Sequence, residues 1–475
     1  MRVSRLLVST CVAACAASTA GAVLARDRDD NDRNGSGAFR FTPLPTSAVC
    51  GPPGGNGTFP NERPFVLPPG FSQQVIAREG DGGAPDNFDM NTLNETGRQA
   101  GRFLYRTHET VGEPSAAEPS AVSVTDLRTG ITRVLAQPVQ WNRVDGIVWT
   151  PWRTLLIGEE MRPGRVPSTP EPTVPQAQAG LIYEVDPVTG ASVARPALGA
   201  KAHEGIRFDS RGNVYGISET GPTTVVNGTP RPGGYIFKFT PDRKGDLSSG
   251  QLYALKIVAP TGDRTGRAIW VPLDRALVQV DADMAATLAG ATGYGRPEDV
   301  ETATSTGNDR NSGENLYVAV TDESRVLRIQ LNGGGRHDDD QDDNGHRGGR
   351  RRDNQRAFVW DYVKQGVNAP ADFSNPDNLA LDKAGNLFIT EDTTTPPGMD
   401  IWVAAPGRRH SPVADRTVRF ASLTDCSAEP SGIYFDLTGK VLFVNVLHRG
   451  GTNPDFTSVL PDLSMAITQD RRGRR

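Results

Sequence analysis

The chain has 475 residues, of which 36% are hydrophobic, 52 are glycine and 36 are proline. This length predicts either two domains or one large repetitive domain, and the glycine and proline content is typical of many short strands joined by turns. The formal net charge of −5 argues against a general nucleic-acid-binding surface.

The N-terminus has the pattern of an export signal. Arg2 and Arg5 precede an apolar stretch, and small residues continue to Ala25, after which we predict cleavage. Residues 12–15 also resemble a bacterial lipoprotein signal, which would make Cys15 a lipid anchor. We expect a periplasmic or secreted protein, because no later segment is long and apolar enough to cross a membrane.

Two cysteines lie beyond the predicted signal peptide, Cys50 and Cys426. In an oxidising compartment they predict one disulfide, which would tie an extended N-terminal segment at residues 26–63 to the last part of the chain. Two free thiols are the alternative.

One pattern recurs six times between residues 64 and 465: an acidic residue, a short apolar strand, a turn, and a second apolar strand with a polar end. The copies cover residues 89–109, 145–160, 204–219, 298–320, 377–391 and 431–445. A further apolar hairpin follows each copy, and four strands per repeat predict a six-bladed β-propeller, an all-β fold of four-stranded antiparallel blades. Residues 71–77 would complete the last blade; a pair of β-sandwiches is the alternative.

Several segments fall outside the repeat. Residues 26–37 and 332–356 are charged and rich in glycine, and we interpret them as solvated loops, although each matches the first half of an EF-hand loop. Residues 258–297 form an insertion with a predicted short helix at 281–288, which we expect to cover one end of the channel. Residues 466–475 form a basic C-terminal tail.

In a propeller, the innermost strand of each blade runs along the central channel. Acidic residues stand at the beginning of five predicted inner strands: Asp145, Glu204, Glu298, Asp377 and Glu429. The ends of the second strands add Glu109 and Glu160. Ring closure would bring these carboxylates together at a density that requires cations, and oxygen ligands suit Ca²⁺, with iron or manganese as alternatives. Separate turn-capping roles are the other interpretation.

Arg296 directly precedes Pro297 and Glu298. An arginine beside a cation cluster indicates a bound anion, and its planar guanidinium matches phosphate in geometry and charge. A solvated surface arginine is the alternative.

These features together resemble the PhoX-type alkaline phosphatase family over residues 64–450 or so. The matching stretches are RTHE at 106–109, residues 145–154 with TPW at 150–152, EE at 159–160, AHE at 202–204, RPED at 296–299, NPDN at 375–378, EPSG at 429–432 and LFVNV at 442–446.

The resemblance implies a six-bladed propeller and an exported phosphomonoesterase with calcium ions and a pair of iron ions in the axial site. It implies that Arg296 binds phosphate and that six acidic residues are metal ligands: Glu109, Glu160, Glu204, Glu298, Asp377 and Glu429. One position departs from the family, because Asp145 stands where the phosphatases carry an iron-binding cysteine. A carboxylate there can still hold Ca²⁺ or Fe³⁺, but the soft thiolate is absent.

The first hypothesis is therefore metal-assisted hydrolysis of phosphate monoesters, with Arg296, Glu204 and Glu298 as the catalytic residues and calcium, with iron as an addition, as the cofactor. We expect a small phosphorylated substrate, no nucleic-acid partner and a monomer. A calcium-dependent lactonase-like hydrolase and a non-catalytic, calcium-stabilised binding protein are the two alternatives.

Overall fold

The computed structural model describes residues 38–50, 62–110, 119–163, 177–221, 224–226, 229–231, 233–302, 315–331, 355–393, 399–407, 411–450 and 460–470. The predicted signal peptide with Cys15, the acidic loop at 26–37, nearly all of the loop at 332–356 and the end of the C-terminal tail lie outside these residues.

The described residues form 28 strands and one α-helix. The first strands are β1 (Phe65–Val66), β2 (Phe71–Arg78), β3 (Phe88–Leu93), β4 (Phe103–His108), β5 (Ala121–Asp126), β6 (Ile131–Ala136), β7 (Val144–Trp149), β8 (Leu155–Glu159), β9 (Ile182–Val185) and β10 (Ser192–Ala194). The middle of the chain contains β11 (Ile206–Phe208), β12 (Val214–Ile217), β13 (Thr224–Val226), β14 (Thr229–Arg231), β15 (Ile236–Arg243), β16 (Asp246–Gly262), β17 (Thr265–Pro272) and α1 (Ala282–Leu288). The last strands are β18 (Pro297–Thr302), β19 (Asn315–Val320), β20 (Arg325–Leu331), β21 (Arg356–Lys364), β22 (Pro376–Leu381), β23 (Leu387–Glu391), β24 (Asp400–Ala405), β25 (Arg416–Leu423), β26 (Glu429–Phe435), β27 (Val441–Leu447) and β28 (Leu463–Gln469).

These strands form an all-β, propeller-like arrangement of antiparallel sheets. Four sheets are separate: β3-β4-β5-β6, β7-β8-β9-β10, β1-β25-β24-β23-β22 and β2-β28-β27-β26. A nine-stranded sheet has the order β11-β12-β15-β16-β17-β21-β20-β19-β18, and β13 pairs with β14 alone. Within the described ranges, the structure therefore has four separate blade-sized sheets instead of the six predicted, because β17 pairs with both β16 and β21.

Six inner strands surround a common axis. Strand β3 contacts β7, β7 contacts β11, β11 contacts β18, β18 contacts β22, β22 contacts β26, and β26 returns to β3. The ring is closed by β2, which pairs with β28 from Phe71 opposite Gln469 to Arg78 opposite Leu463. The prediction that residues 71–77 complete the last sheet is confirmed.

The hydrophobic core consists of clusters between neighbouring sheets, because each strand presents apolar side chains to both of its faces. One of these clusters includes the N-terminal segment: the Phe39 and Phe41 rings pack against Phe71 and Phe420. The same segment reaches Cys50, which is disulfide-bonded to Cys426 with a Cα–Cα distance of 5.1 Å. The segment at residues 38–50 is therefore attached to the end of the ring by packing and by a covalent bond.

The insertion at 258–297 contains the C-terminal end of β16 and all of β17 and α1. Helix α1 has Asp281 as its N-cap, whose carboxylate accepts a hydrogen bond from the backbone N–H of Met284. Its buried alanines pack against Phe237 and Phe239 of β15. The predicted helix is confirmed, one residue shorter at its start. No helix in the described part of the chain is long and apolar enough to span a bilayer.

Candidate metal centre

In four of the inner strands, a β-bulge changes the direction of the acidic side chain. In β7, Val144 is opposite Glu159 and Ile147 is opposite Ile157, so Asp145 and Gly146 together face Gly158 alone. The same irregularity occurs in β3, β18 and β22 at Asp89, Glu298 and Asp377. A bulge turns a side chain away from the regular alternation of the strand. It is the local reason why these carboxylates are directed differently from their neighbours.

The residue two positions before each of these acids has a left-handed backbone. The φ angles are 53° at Asn87, 48° at Arg143, 47° at Arg296 and 41° at Asn375. Non-glycine residues adopt such angles at a cost of about 1 kcal/mol or more, and they are frequent at functional sites. The repeat therefore has a common entry turn of a left-handed residue, one spacer and a bulged acid.

The carboxylates line a cavity of about 570 Å³. Its walls include ten acidic side chains: Asp89, Glu109, Asp145, Glu160, Glu204, Glu219, Glu298, Asp377, Asp392 and Glu429. They also include Arg143, Arg162, Arg296 and His448. Every residue predicted as a metal ligand or as catalytic lies on this cavity. Of the insertion at 258–297, only Arg296 lines it, so the covering role of that segment stays a prediction.

Glu204, Glu298 and Asp377 form an acidic group in the cavity that could hold a metal ion. One oxygen of each lies within 4.8 Å of the others, and all three side chains are buried. No hydrogen-bond donor among the described residues reaches Asp145 Oδ1 or Glu204 Oε2, although both atoms are buried. Buried oxygens without donors and several hard anionic ligands fit a divalent or trivalent cation.

The electrostatics of the cavity favour a bound cation. Burial, followed by repulsion from the other carboxylates, raises the pKa of Asp145, Glu204, Asp377 and Glu429 well above the ordinary range. The pKa of Glu298 rises to about 8, mainly through burial and then through the nearby charge of Glu219. Without cations these groups cannot all ionise, since like charges in a low-dielectric cavity oppose one another.

Two arginines of the cavity contact its carboxylates. Arg296 Nε donates to Glu219 Oε1 at 2.8 Å, and its Nη2 lies 2.8 Å from Glu298 Oε1 and 3.5 Å from Asp392 Oδ2. Arg143 Nε donates to Glu109 Oε1 at 2.7 Å, and its Nη2 lies 2.9 Å from Glu160 Oε2. Burial alone would raise the pKa of Glu109, but the charge and hydrogen bonds of Arg143 hold it below its ordinary value.

Hydrogen bonds from Asn378 hold the carboxylates of Asp377 and Glu204 in position. Asn378 Nδ2 donates to Asp377 Oδ1 at 3.0 Å and to Glu204 Oε1 at 3.3 Å. Asn378 Oδ1 accepts from the backbone N–H of Gly432 at 2.6 Å and lies 2.9 Å from the Ser431 hydroxyl. A Cβ atom at position 432 would lie 2.1 Å from the backbone oxygen of Asp89, so only glycine fits this close approach.

Several acids and histidines of the repeat have structural contacts instead. Glu391, at the end of β23, accepts hydrogen bonds from the backbone N–H groups of Ser374 and Asp400. His108 lies 3.2 Å from the backbone oxygen of Asp86, and His203 lies 2.9 Å from that of Gly199. None of these three side chains is among the residues that line the cavity.

Arg143, Asp89 and Asp392 line the cavity without having been predicted there, and Glu219, which the sequence left open between cavity and solvent, lines it too. A signal for Arg143 existed, because it stands two residues before Asp145 as Arg296 stands two residues before Glu298. Glu219 and Asp392 lie beyond the ends of second strands, where sequence cannot tell a side chain that faces the axis from one that faces solvent.

The fold and the site define a propeller-like, all-β protein whose central cavity is lined by carboxylates and arginines. The family model of alkaline phosphatase PhoX matches residues 146–450, well over half of the chain. The protein belongs to this family, which confirms the resemblance in its sequence and makes it a phosphatase-like enzyme.

A solved PhoX structure shares the fold. The PhoX of Pseudomonas fluorescens, in complex with the transition-state analogue vanadate, is 17% identical, with a TM-score of 0.60 over 90% of this chain and 98% of its own. A gluconolactonase of Xanthomonas campestris is 12% identical, with a TM-score of 0.44 over 90% and 98% of the two chains. The second likeness is too distant to bear on function. The comparison with curated proteins finds no match.

Proposed function

We propose that this protein is an exported, calcium-dependent hydrolase of phosphate monoesters. The observation that carries the proposal is the convergence of Glu204, Glu298 and Asp377, with oxygens within 4.8 Å of one another, beside the guanidinium of Arg296. A cation-binding carboxylate group next to an anion-binding arginine is the combination that phosphoryl transfer requires. Periplasmic or secreted location and a monomeric state belong to the same proposal, supported by the N-terminal sequence pattern.

Calcium is the proposed resident cation because the donors are hard. The cavity lining among the described residues offers carboxylate oxygens, one amide and one imidazole, and it includes no thiol. We propose Glu204, Glu298 and Asp377 as the inner ligands, with Asp145 and Glu429 next to them. Carboxylates also accommodate Fe³⁺, so iron is a second candidate for the same oxygen ligands.

The acidic and basic residues of the cavity would have different roles in the reaction. A bound cation would supply Lewis acidity, which polarises the phosphoryl group and activates the attacking oxygen. Glu204 and Glu298 would hold that cation and thereby act as catalytic residues. Arg296 would bind the phosphoryl oxygens, because Glu219 and Asp392 hold its guanidinium at the cavity wall, where its side chain is 33% exposed.

We also infer that the ring has six blades. The nine-stranded sheet counts as two four-stranded units, β11-β12-β15-β16 and β18 to β21, which β17 joins at their outer strands. The closed series of contacts among six inner strands supports this count.

The test is release of phosphate from an aryl phosphate by protein purified without chelators, with added Ca²⁺ and Fe³⁺. We expect Glu204→Gln and Arg296→Gln each to lower kcat/KM by about 100-fold or more, as loss of one positioned charge does at such sites. Glu391→Gln is the matched control, since it removes a buried carboxyl outside the cavity. Chelator-insensitive turnover, or equal loss in Glu204→Gln and Glu391→Gln, would contradict the proposed site.

A further inference from the structure

Arg143 and Arg296 occupy the same place in the repeat. Each stands two residues before a bulged acid, with nearly equal φ angles of 48° and 47°. Each guanidinium reaches back to a carboxylate that follows the second strand of the preceding unit: Glu109 after β4 for Arg143, and Glu219 after β12 for Arg296. Because Arg143 and Arg296 hold equivalent positions in the repeat, the fold itself places Arg143 at the site.

The two arginines differ in what they bridge. Arg143 binds two carboxylates that occupy equivalent positions on neighbouring sheets, Glu109 and Glu160, with N···O distances of 2.7 Å and 2.9 Å. Its side chain is only 23% exposed, and those of Glu109 and Glu160 are 10% and 14% exposed. A positive charge therefore already lies between these two carboxylates, in charge-assisted hydrogen bonds that replace water.

Among the described residues, no arginine forms an ion pair with Glu204 or Asp377, and Arg296 contacts only Glu298 of this group. Glu204, Glu298 and Asp377 bring their oxygens together, and the described residues offer no donor to Glu204 Oε2. The guanidinium of Arg296 contacts Glu298 in this group and otherwise binds Glu219 and Asp392. An arginine of the chain thus bridges Glu109 and Glu160, whereas Glu204 and Asp377 share their oxygens with no arginine among the described residues.

We propose that Arg143 is a built-in cation of this site, which takes the place of a divalent cation between Glu109 and Glu160 and confines bound metal to the side of Glu204, Glu298 and Asp377. This inference rests on the proposed cation binding and narrows the ligand set expected from sequence, in which Glu109 and Glu160 were metal ligands. Arg143 is accordingly a positioning residue that determines how many cations the cavity holds.

The experiment is metal analysis of the purified full-length protein after equilibration with Ca²⁺. We expect Arg143→Gln to bind about one calcium ion more per chain than the unmodified protein, because Glu109 and Glu160 then face each other without a cation. Arg162→Gln is the matched control: it removes one positive charge from the rim of the same cavity, and we expect no additional ion. An unchanged calcium content in Arg143→Gln, or an equal gain in both variants, overturns the inference.

A second variant keeps the inference testable if Arg143→Gln does not fold. In a protein that retains Arg143, replacing both Glu109 and Glu160 with glutamine should leave the calcium content unchanged. The single substitution Glu204→Gln should lower it. Loss of calcium from the double variant would contradict the proposed role of Arg143 but not the proposed function. Absence of calcium from the unmodified protein would instead contradict the proposed function, so the two failures are distinguishable.

Discussion

The clearest quantitative prediction concerns Glu298 in protein freed of metal by a chelator. Its carboxyl is buried, and its pKa is raised from 4.5 to about 8 by burial and then by Glu219, with Arg296 opposing the rise. The native state therefore holds a proton on Glu298 at pH values where the unfolded chain has lost it. Because the native state binds more protons, the free energy of unfolding should fall as pH rises from about 4.5 to about 8 and level off above that.

The size of this effect follows from the shift. At about 1.4 kcal/mol per pKa unit, the loss attributable to Glu298 is on the order of 5 kcal/mol. With an unfolding entropy of about 2 cal/mol/K per residue, this corresponds to a decrease in Tm of roughly 5 °C for a chain of 475 residues. The measurement is a series of thermal unfolding curves of the metal-free protein between pH 4.5 and pH 9.

Glu298→Gln removes this carboxyl and also its repulsion of Glu204 and Asp377, and both effects reduce the dependence of stability on pH. The variant should lose several degrees less than the unmodified protein over the same range. Saturating Ca²⁺ should remove most of the decrease, since a cation favours the ionised carboxylates. If the metal-free protein becomes more stable from pH 5 to pH 8, or if Glu298→Gln shows an unchanged slope, the assignment of a protonated, buried Glu298 is wrong.

Two further predictions concern stability. Replacing both Cys50 and Cys426 with serine should lower the free energy of unfolding by about 5 kcal/mol, because the bond closes a long loop with a sequence separation of 376. Equal urea midpoints for the two proteins would contradict this. Asn375 has a φ of 41°, a left-handed angle that glycine adopts without strain and alanine does not. Asn375→Ala should therefore lower the free energy of unfolding in urea by about 1 kcal/mol, whereas Asn375→Gly should leave it nearly unchanged. Equal stability of the two variants would refute the strain.

Much of the site could be predicted from the sequence because the repeat fixes equivalent positions. Glu204, Glu298 and Asp377 each precede a similar apolar strand, which predicts that they meet, and the structure brings their oxygens together. The β-bulges could not be predicted, because nothing in a single strand shows where its partner skips a residue. Asp89 was not predicted because its copy of the repeat is weak, and the structure places it on the cavity wall.

The fold was predicted less completely than the site. Alternating apolar strands indicated separate blades, but β17 joins two four-stranded units into one sheet by pairing with β16 and β21. Residues 258–272 lack the acidic start of the repeat, and the sequence therefore indicates an insertion. In the structure they belong to β16 and β17, whose backbone hydrogen bonds extend the sheet to β21. A strand with no repeat signature can be recognised only from its neighbours in space.

The pairing of β2 with β28 has a consequence for biosynthesis. During translation, residues 71–78 are made long before their partner at residues 463–469. The edge of β2 therefore stays unpaired while the residues between them are made, and the ring can close only after β28 has been made. A circular permutant that begins between β27 and β28 would place these two strands next to each other in the chain and should shorten that exposed period.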